Sequence, residues 1–174
     1  MIVSDKDQPE LRREYDALTG LLSQDAFRRR FEAERVAMRE GTRHMLIFVD
    51  LEGVFGINRS HGYLAGDGVL RQIATHVRNV AGGDGLAGRL GGCRFLILKL
   101  GMPRDRGIEV ANELWRMIED SPIAWKGTAL RVSAWLGVVS LEYGCSGFPE
   151  AWVAACSAAR TAKTLGSGPV HVSA

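Results

Sequence analysis

The stretch Gly91-Gly92-Cys93-Arg94-Phe95 joins two apolar runs, residues 85–90 and 95–100. A Gly-Gly pair between short apolar runs predicts a β-hairpin, because both glycines adopt positive φ angles without steric cost. Neither glycine carries a side chain, so a ligand can approach the backbone closely at this tip. An ordinary tight turn is the alternative interpretation, since such dipeptides are common turn markers.

The composition is that of a single globular domain. The chain has 174 residues, of which 46% are hydrophobic and 24% are charged, enough for one core and too few for two. Its net charge of +2 lacks the basic field of nucleic-acid-binding proteins, so we expect no nucleic-acid partner. No apolar run reaches the roughly 18 residues of a membrane span, and no signal-peptide pattern is present. We therefore expect no membrane segment.

Three cysteines, Cys93, Cys145 and Cys156, stand at irregular spacing. An odd, irregular set is typical of reduced thiols and excludes both a disulfide framework and a zinc site. This pattern predicts a cytoplasmic location.

A buried strand is predicted over residues 44–51, because residues 45–49 are continuously apolar. The strand ends in Asp50-Leu51-Glu52. Residues two apart on a strand point to the same face, so both acids are expected on one face at the carboxyl end, where open α/β sheets place ligands. The alternative is that Asp50 caps the segment that follows.

The other periodic segments complete an α/β pattern. Ser23 is a good N-cap for the first long helix. Mixed strands with helices on the faces predict a two-layer α/β domain. The predicted helices cover residues 9–15, 24–39, 54–60, 64–80, 105–120 and 148–165, and further strands cover 123–125, 130–141 and 170–172.

Five motifs follow one another between residues 16 and 170. They are Asp16-Ala17-Leu18-Thr19-Gly20-Leu21, Asp50-Leu51-Glu52, the set Asn58, Gly62, Gly66 and Asp67, the stretch at 91–95, and Ala162-Lys163 with Gly166. In this order and spacing they resemble the motifs D-x-L-T-G-L, D-x-D, N-D-x-x-G-H-x-x-G-D, G-G-D-E-F and A-K-x-x-G of the GGDEF domains, whose active members are diguanylate cyclases.

The resemblance implies a palm-like, ferredoxin-like nucleotidyl cyclase domain. Its central sheet is mixed and mostly antiparallel, and helices flank it. We expect residues 1–15 to form an N-terminal lead-in helix and residues 16–174 to form a degenerate GGDEF domain.

The resemblance also implies what the chemistry requires. Active relatives join two GTP molecules into cyclic di-GMP, with Mg²⁺ held by the first acid of D-x-D and by the acid at the third signature position. Here Asp50 is present as a vestigial metal ligand, but Cys93 is a poor ligand for a hard cation. The fourth position is Arg94, which stays protonated and is no base.

The signature positions Gly91, Gly92, Cys93, Arg94 and Phe95 are therefore expected to hold no catalytic residue. The family's phosphate-contacting lysine and arginine are replaced by Phe55 and Ser167. We expect Mg²⁺ binding to be lost, no cofactor, and no enzyme activity.

The nucleotide positions Asn58, Asp67 and Lys163 match the family. The resemblance assigns the first two to guanine and its ribose, and Lys163 to the phosphates. The alternative is structural, with Asn58 and Asp67 as caps of neighbouring helices.

The leading hypothesis is a catalytically inactive GGDEF domain with a regulatory or dimerisation role in cyclic di-GMP signalling. It would form a homodimer or contact a neighbouring domain, such as the EAL-type phosphodiesterase domain of a larger GGDEF-EAL protein. The alternative is a non-hydrolysing GTP sensor, binding weakly, that controls a neighbouring domain. An active diguanylate cyclase that uses Cys93 as a thiolate ligand is the third hypothesis.

Overall fold

The computed structural model describes residues 14–165 and 168–173. Along the chain these residues form α1 (Gln24–Ala37), β1 (Arg43–Glu52), α2 (Val54–His61), α3 (Tyr63–Ala81), β2 (Leu86–Arg89), β3 (Arg94–Lys99), α4 (Arg104–Asp120), β4 (Ile123–Trp125), β5 (Thr128–Leu130), β6 (Ser133–Glu142), α5 (Phe148–Leu165) and β7 (Val170–Val172).

The central sheet has the strand order β2-β3-β1-β6-β7. β1 lies in the middle and pairs antiparallel with both β3 and β6, while β7 joins β6 in parallel. The continuously apolar sequence of β1 fits this place, because a central strand is covered on both faces. Residues 44–49 are all buried.

Helices cover both faces of the sheet. Alternate residues of β1, such as Ile47 and Val49, pack with α3 and α4 in one core cluster. Leu46 and Phe48 point the opposite way and pack with α1 and α5.

Aromatic contacts join α1 and α5, with the ring centroids of Phe31 and Phe148 5.4 Å apart. The predicted palm-like α/β fold with a mostly antiparallel sheet flanked by helices is confirmed.

Most predicted elements agree with the structure to within two residues. The Ser23 side chain accepts a hydrogen bond from the Ala26 amide at 3.3 Å and caps α1 as predicted. The predicted lead-in helix at residues 1–15 lies almost wholly outside the described residues. No helix in the described ranges is both long and apolar enough to span a bilayer.

The single strand predicted at 130–141 is wrong. Thr128–Leu130 pairs with Ile123–Trp125 in a separate two-stranded sheet. Lys126 and Gly127 at the turn have φ angles of 46° and 81°, as a two-residue hairpin turn requires. The chain then crosses to the central sheet. The run predicted as one strand therefore belongs partly to β5 of the small sheet and partly to β6 of the central sheet.

Close packing of α5 on the sheet depends on Gly137 of β6. A β-carbon added there would collide with the backbone of Ala155 and Ala159. Both residues lie on the small-residue stripe of α5 that faces the sheet. Backbone atoms of a packed helix cannot move aside as a flexible side chain can.

We expect Gly137→Ala to lower the free energy of unfolding by about 3 kcal/mol, the upper part of the range for overpacked cores. Urea denaturation followed by circular dichroism measures this change. Gly56→Ala is the matched control, since an added β-carbon meets nothing within 4 Å there and alanine favours the helix. Equal stability of the two variants would contradict the packing argument.

Candidate functional site

The candidate site lies at the carboxyl end of β1, on the face that α5 covers. Asp50 is directly opposite Arg94 of β3 and Trp135 of β6 in the two antiparallel registers. Directly opposed residues have β-carbons about 4.5–5.5 Å apart on the same face. Glu52 follows two residues later on that face, as the sequence predicted. Asp50 belongs to the strand and Gly53 is the N-cap of α2, so the capping alternative for Asp50 is wrong.

Asp50 is a half-buried carboxylate without a partner. Among the described residues, no side chain or backbone group forms a hydrogen bond or ion pair with it. Burial raises the pKa of Asp50, and the nearby positive charges of Lys163 and Arg94 only partly offset that rise. Trp135, opposite Asp50 on β6, lies beside Glu52 and helps to lower the pKa of that acid. Sequence reasoning missed Trp135, because no motif marks it.

Lys163 of α5 forms an ion pair with Glu52. The hydrogen bond from Lys163 lowers the pKa of Glu52. The ammonium group reaches this acid because α5 packs against β6 and β1. The retained lysine is thus tied to the second acid of the D-x-D position, and the first acid, Asp50, is left without a direct partner.

The signature stretch forms the predicted hairpin between β2 and β3. Gly91 and Gly92 have φ angles of 84° and 56°, which explains glycine at both positions. The Leu90 amide donates to the Arg94 carbonyl at 2.9 Å, and the Leu51 amide donates to the Cys93 carbonyl at 3.0 Å. The turn is therefore held to β1 by backbone contacts one residue beyond Asp50.

The three signature side chains have different environments. Phe95 is fully buried and Arg94 is exposed. Cys93 is half-buried against the core on the opposite face of the sheet, and burial raises the pKa of its thiol. Burial therefore disfavours the thiolate form of Cys93.

Arg89, two residues before the signature, clamps the turn to the first motif. Its Nη1 lies 3.0 Å from Asp16 Oδ1, and its Nη2 donates to the Gly92 carbonyl at 2.8 Å. Asp16 also accepts hydrogen bonds from the amide and hydroxyl of Thr19. Sequence reasoning missed Arg89; the available signal was one charged residue within an apolar strand.

Asn58 and Asp67 lie inside α2 and α3, so both capping alternatives are wrong. The N-caps of these helices are Gly53 and Gly62, and neither side chain takes part. Asn58 rests on Gly66, where a β-carbon would collide with the amide oxygen. That oxygen is buried and has no hydrogen-bond partner.

The family profile described as "Diguanylate cyclase, GGDEF domain" matches residues 13–168. The chain belongs to the GGDEF family. The Probable diguanylate cyclase DgcF of Escherichia coli K12 is 28% identical over 134 residues, which cover 76% of this chain and 42% of that protein. The chain thus spans less than half of this relative.

Solved structures agree on the fold. The coiled coil and GGDEF domain of DgcB from Caulobacter crescentus, in complex with c-di-GMP, has a TM-score of 0.85 at 21% identity, covering 97% of this chain and 91% of that one. Diguanylate cyclase SiaD of Pseudomonas aeruginosa, in complex with its activator SiaC, has a TM-score of 0.83 at 24% identity, covering 97% and 65%.

The prediction that this chain is not an enzyme is wrong. That prediction rested on the replaced signature acids and on Phe55 and Ser167 at the family's phosphate-contacting positions. Several relatives are named as diguanylate cyclases or probable diguanylate cyclases, and the matched family is described as "Diguanylate cyclase, GGDEF domain".

The donor set of this site does not fit the magnesium ions that the family's chemistry uses. Mg²⁺ requires carboxylate oxygens in octahedral geometry. Asp50 supplies one unpaired carboxylate, Glu52 is paired with Lys163, Cys93 is a soft donor, and Arg94 repels a cation. Within residues 14–165 and 168–173, no group of three or more His, Cys, Asp or Glu side chains is placed to hold a metal ion.

The link from Asp16 to Arg89 predicts a pH-dependent contribution to stability. Burial by itself would raise the pKa of Asp16, but hydrogen bonds from Thr19 and Arg89 outweigh it and lower the pKa. A lowered pKa means that the stabilisation is complete above the ordinary value of about 3.9 and is lost as the pH falls through the folded-state pKa.

We expect Asp16→Asn to lower the free energy of unfolding at pH 7 by about 1–3 kcal/mol, the scale of charge-assisted hydrogen bonds. The difference in unfolding free energy between the variant and the wild type decreases below pH 4. Urea denaturation at a series of pH values measures it. Asp84→Asn, in the exposed turn after α3, is the control. A difference that is constant with pH would contradict the assignment.

The unpartnered carboxylate of Asp50 predicts a pH dependence of stability opposite in direction to that of Asp16. Because burial raises its pKa, the ionised form destabilises the folded state at neutral pH. Asp50→Asn is therefore expected to raise the melting temperature at pH 7–8. This gain diminishes as the pH falls through the raised pKa, where the wild-type carboxyl is protonated. Thermal denaturation at several pH values measures the effect.

The control for this second variant is Glu52→Gln on the same face. It removes a partly exposed ion pair, so its expected effect is a small loss of stability, at most about 1 kcal/mol. A lower melting temperature for Asp50→Asn would show that Asp50 has a stabilising partner.

Proposed function

We propose that this GGDEF domain binds a guanine nucleotide between α2 and α3, in a cyclic di-GMP signalling protein. One observation carries the proposal: the amide oxygen of Asn58 is buried, lies against Gly66 and has no hydrogen-bond partner. An unsatisfied buried acceptor costs about 1–3 kcal/mol. A guanine ring offers N–H donors that would satisfy it.

The family resemblance supports the same ligand. It assigns guanine and ribose contacts to the positions of Asn58 and Asp67, and both residues are retained. Asp67 is half-buried on α3, one residue after the glycine on which Asn58 rests. Gly66 is required here for space, since a side chain would occupy the position of the Asn58 amide.

We further propose that nucleotide occupancy controls an attached signalling domain, for which an EAL-type phosphodiesterase domain is our specific expectation. The chain spans 42% of DgcF, so relatives carry further sequence beyond this domain. SiaD was solved in complex with its activator SiaC, which supports control of such domains by a protein partner. Sedimentation velocity with and without GTP tests homodimer formation as the competing route.

Isothermal titration calorimetry of the purified chain with GTP tests the nucleotide site. We expect saturable binding that ATP does not reproduce at tenfold higher concentration. Asn58→Ala is expected to weaken GTP at least tenfold without lowering the melting temperature, because the lost oxygen has no partner in the free protein. Formation of cyclic di-GMP in the same samples also requires bound GTP and would support the site.

The matched control is Asn112→Ala. Asn112 donates to the Ile108 carbonyl within α4 at 2.9 Å, so its loss should leave GTP affinity unchanged. Absence of heat and of a thermal shift at millimolar GTP would exclude the proposal. So would an Asn58→Ala variant that is destabilised while its GTP affinity is retained, because that result would assign Asn58 a purely structural role.

A further inference from the structure

The charges around Asp50 are mostly positive and mostly unpaired. Lys163 is bound to Glu52. Arg94 of β3 and Arg160 of α5 are both exposed, and their side chains form no hydrogen bond or ion pair with any described residue. Arg94 lies opposite Asp50 in the strand register, and Arg160 is a surface neighbour of Lys163 three residues before it on α5, so both guanidinium groups lie near the Lys163–Glu52 ion pair.

The geometry of α5 brings these cations together. Cys156, Arg160 and Lys163 are spaced four and three residues apart, so they follow one stripe of the helix. This stripe faces the end of β1, as the Lys163–Glu52 contact requires. Arg94 reaches the same region from the sheet, opposite Asp50 in the strand register.

The half-buried Cys156 lies on the same stripe of α5, one turn before Arg160. Burial raises the pKa of its thiol, the Trp152 side chain and the positive charges of Arg94 and Arg160 lower it, and the negative charge of Asp50 raises it. Arg94 and Arg160 therefore both lie near Cys156, although they come from different elements of the fold.

We propose that Arg94, Arg160 and Lys163 form a metal-free anion site that holds the phosphate groups of a nucleotide directly. Guanidinium groups bind phosphate oxygens through paired N–H donors and need no bridging cation. Because the donor set does not fit Mg²⁺, the free polyphosphate is the preferred ligand, and the less negative magnesium complex binds more weakly.

The inference rests on the proposed nucleotide site, because that proposal names the biological ligand. Phosphate binding by the cations is tested separately. Inorganic tripolyphosphate is the probe, since it carries the phosphate chain without a base. Calorimetry of the full chain is performed in EDTA and in excess Mg²⁺. We expect binding at least tenfold tighter in EDTA than with Mg²⁺.

Two single variants test the assignment, Arg94→Gln and Arg160→Gln. Each is expected to weaken tripolyphosphate at least fivefold, and both side chains are exposed, so melting temperatures should be unchanged. Arg39→Gln is the matched control, because Arg39 is an exposed arginine before the other end of β1. Equal losses in all three variants would indicate nonspecific charge attraction and overturn the site, as would tighter binding with Mg²⁺.

The failures of the two proposals are distinguishable. If GTP binding depends on Asn58 while both arginine variants keep full tripolyphosphate affinity, the anion site is wrong and the guanine site stands. If tripolyphosphate binding depends on the arginines while GTP binds no better than tripolyphosphate and ignores Asn58→Ala, the guanine site is wrong and the anion site stands.

Discussion

The antiparallel pairing of β1 with β3 and β6 is the constraint on which the rest of the site depends. It places Asp50 opposite Arg94 on one side and Trp135 on the other. The backbone contact from Leu51 to Cys93 then holds the signature turn beside the end of β1. A slip of one residue would turn Asp50 and Glu52 toward the opposite core cluster. The buried residues of β1 prevent that slip, so the hydrophobic core positions the polar groups.

At the end of β1 and in the signature turn, the charges of the side chains differ from those of a magnesium site. The resemblance places acids at the third and fourth signature positions, and this chain has a thiol and a guanidinium group there. Asp50 is left half-buried with a raised pKa, and Lys163 is held by Glu52. The sheet geometry of a GGDEF domain is thus retained with a TM-score of 0.85 to a solved relative, while the side chains at its edge favour an anion over a divalent cation.

The signature turn is also held by side-chain hydrogen bonds to the first motif. Arg89 joins the Asp16 carboxylate to the Gly92 carbonyl, so the first motif of the chain and the signature form one hydrogen-bonded unit. Asp16 has a structural role in the described residues, because its carboxylate accepts hydrogen bonds from Thr19 and Arg89.

The sequence by itself determined the family, the order of the elements, the hairpin at Gly91 and Gly92, and the two acids on one face of β1. These follow from local rules: motif spacing, the two-residue repeat of a strand and the conformational freedom of glycine. Only the tertiary structure decided that Lys163 pairs with Glu52, that Arg89 reaches Asp16, that Asn58 rests on Gly66, and that Arg94 lies near Cys156 of α5. Each of these contacts depends on how helices and strands pack across the sheet. No local pattern encodes such distances, because they are set by the side chains that fill the core between the elements.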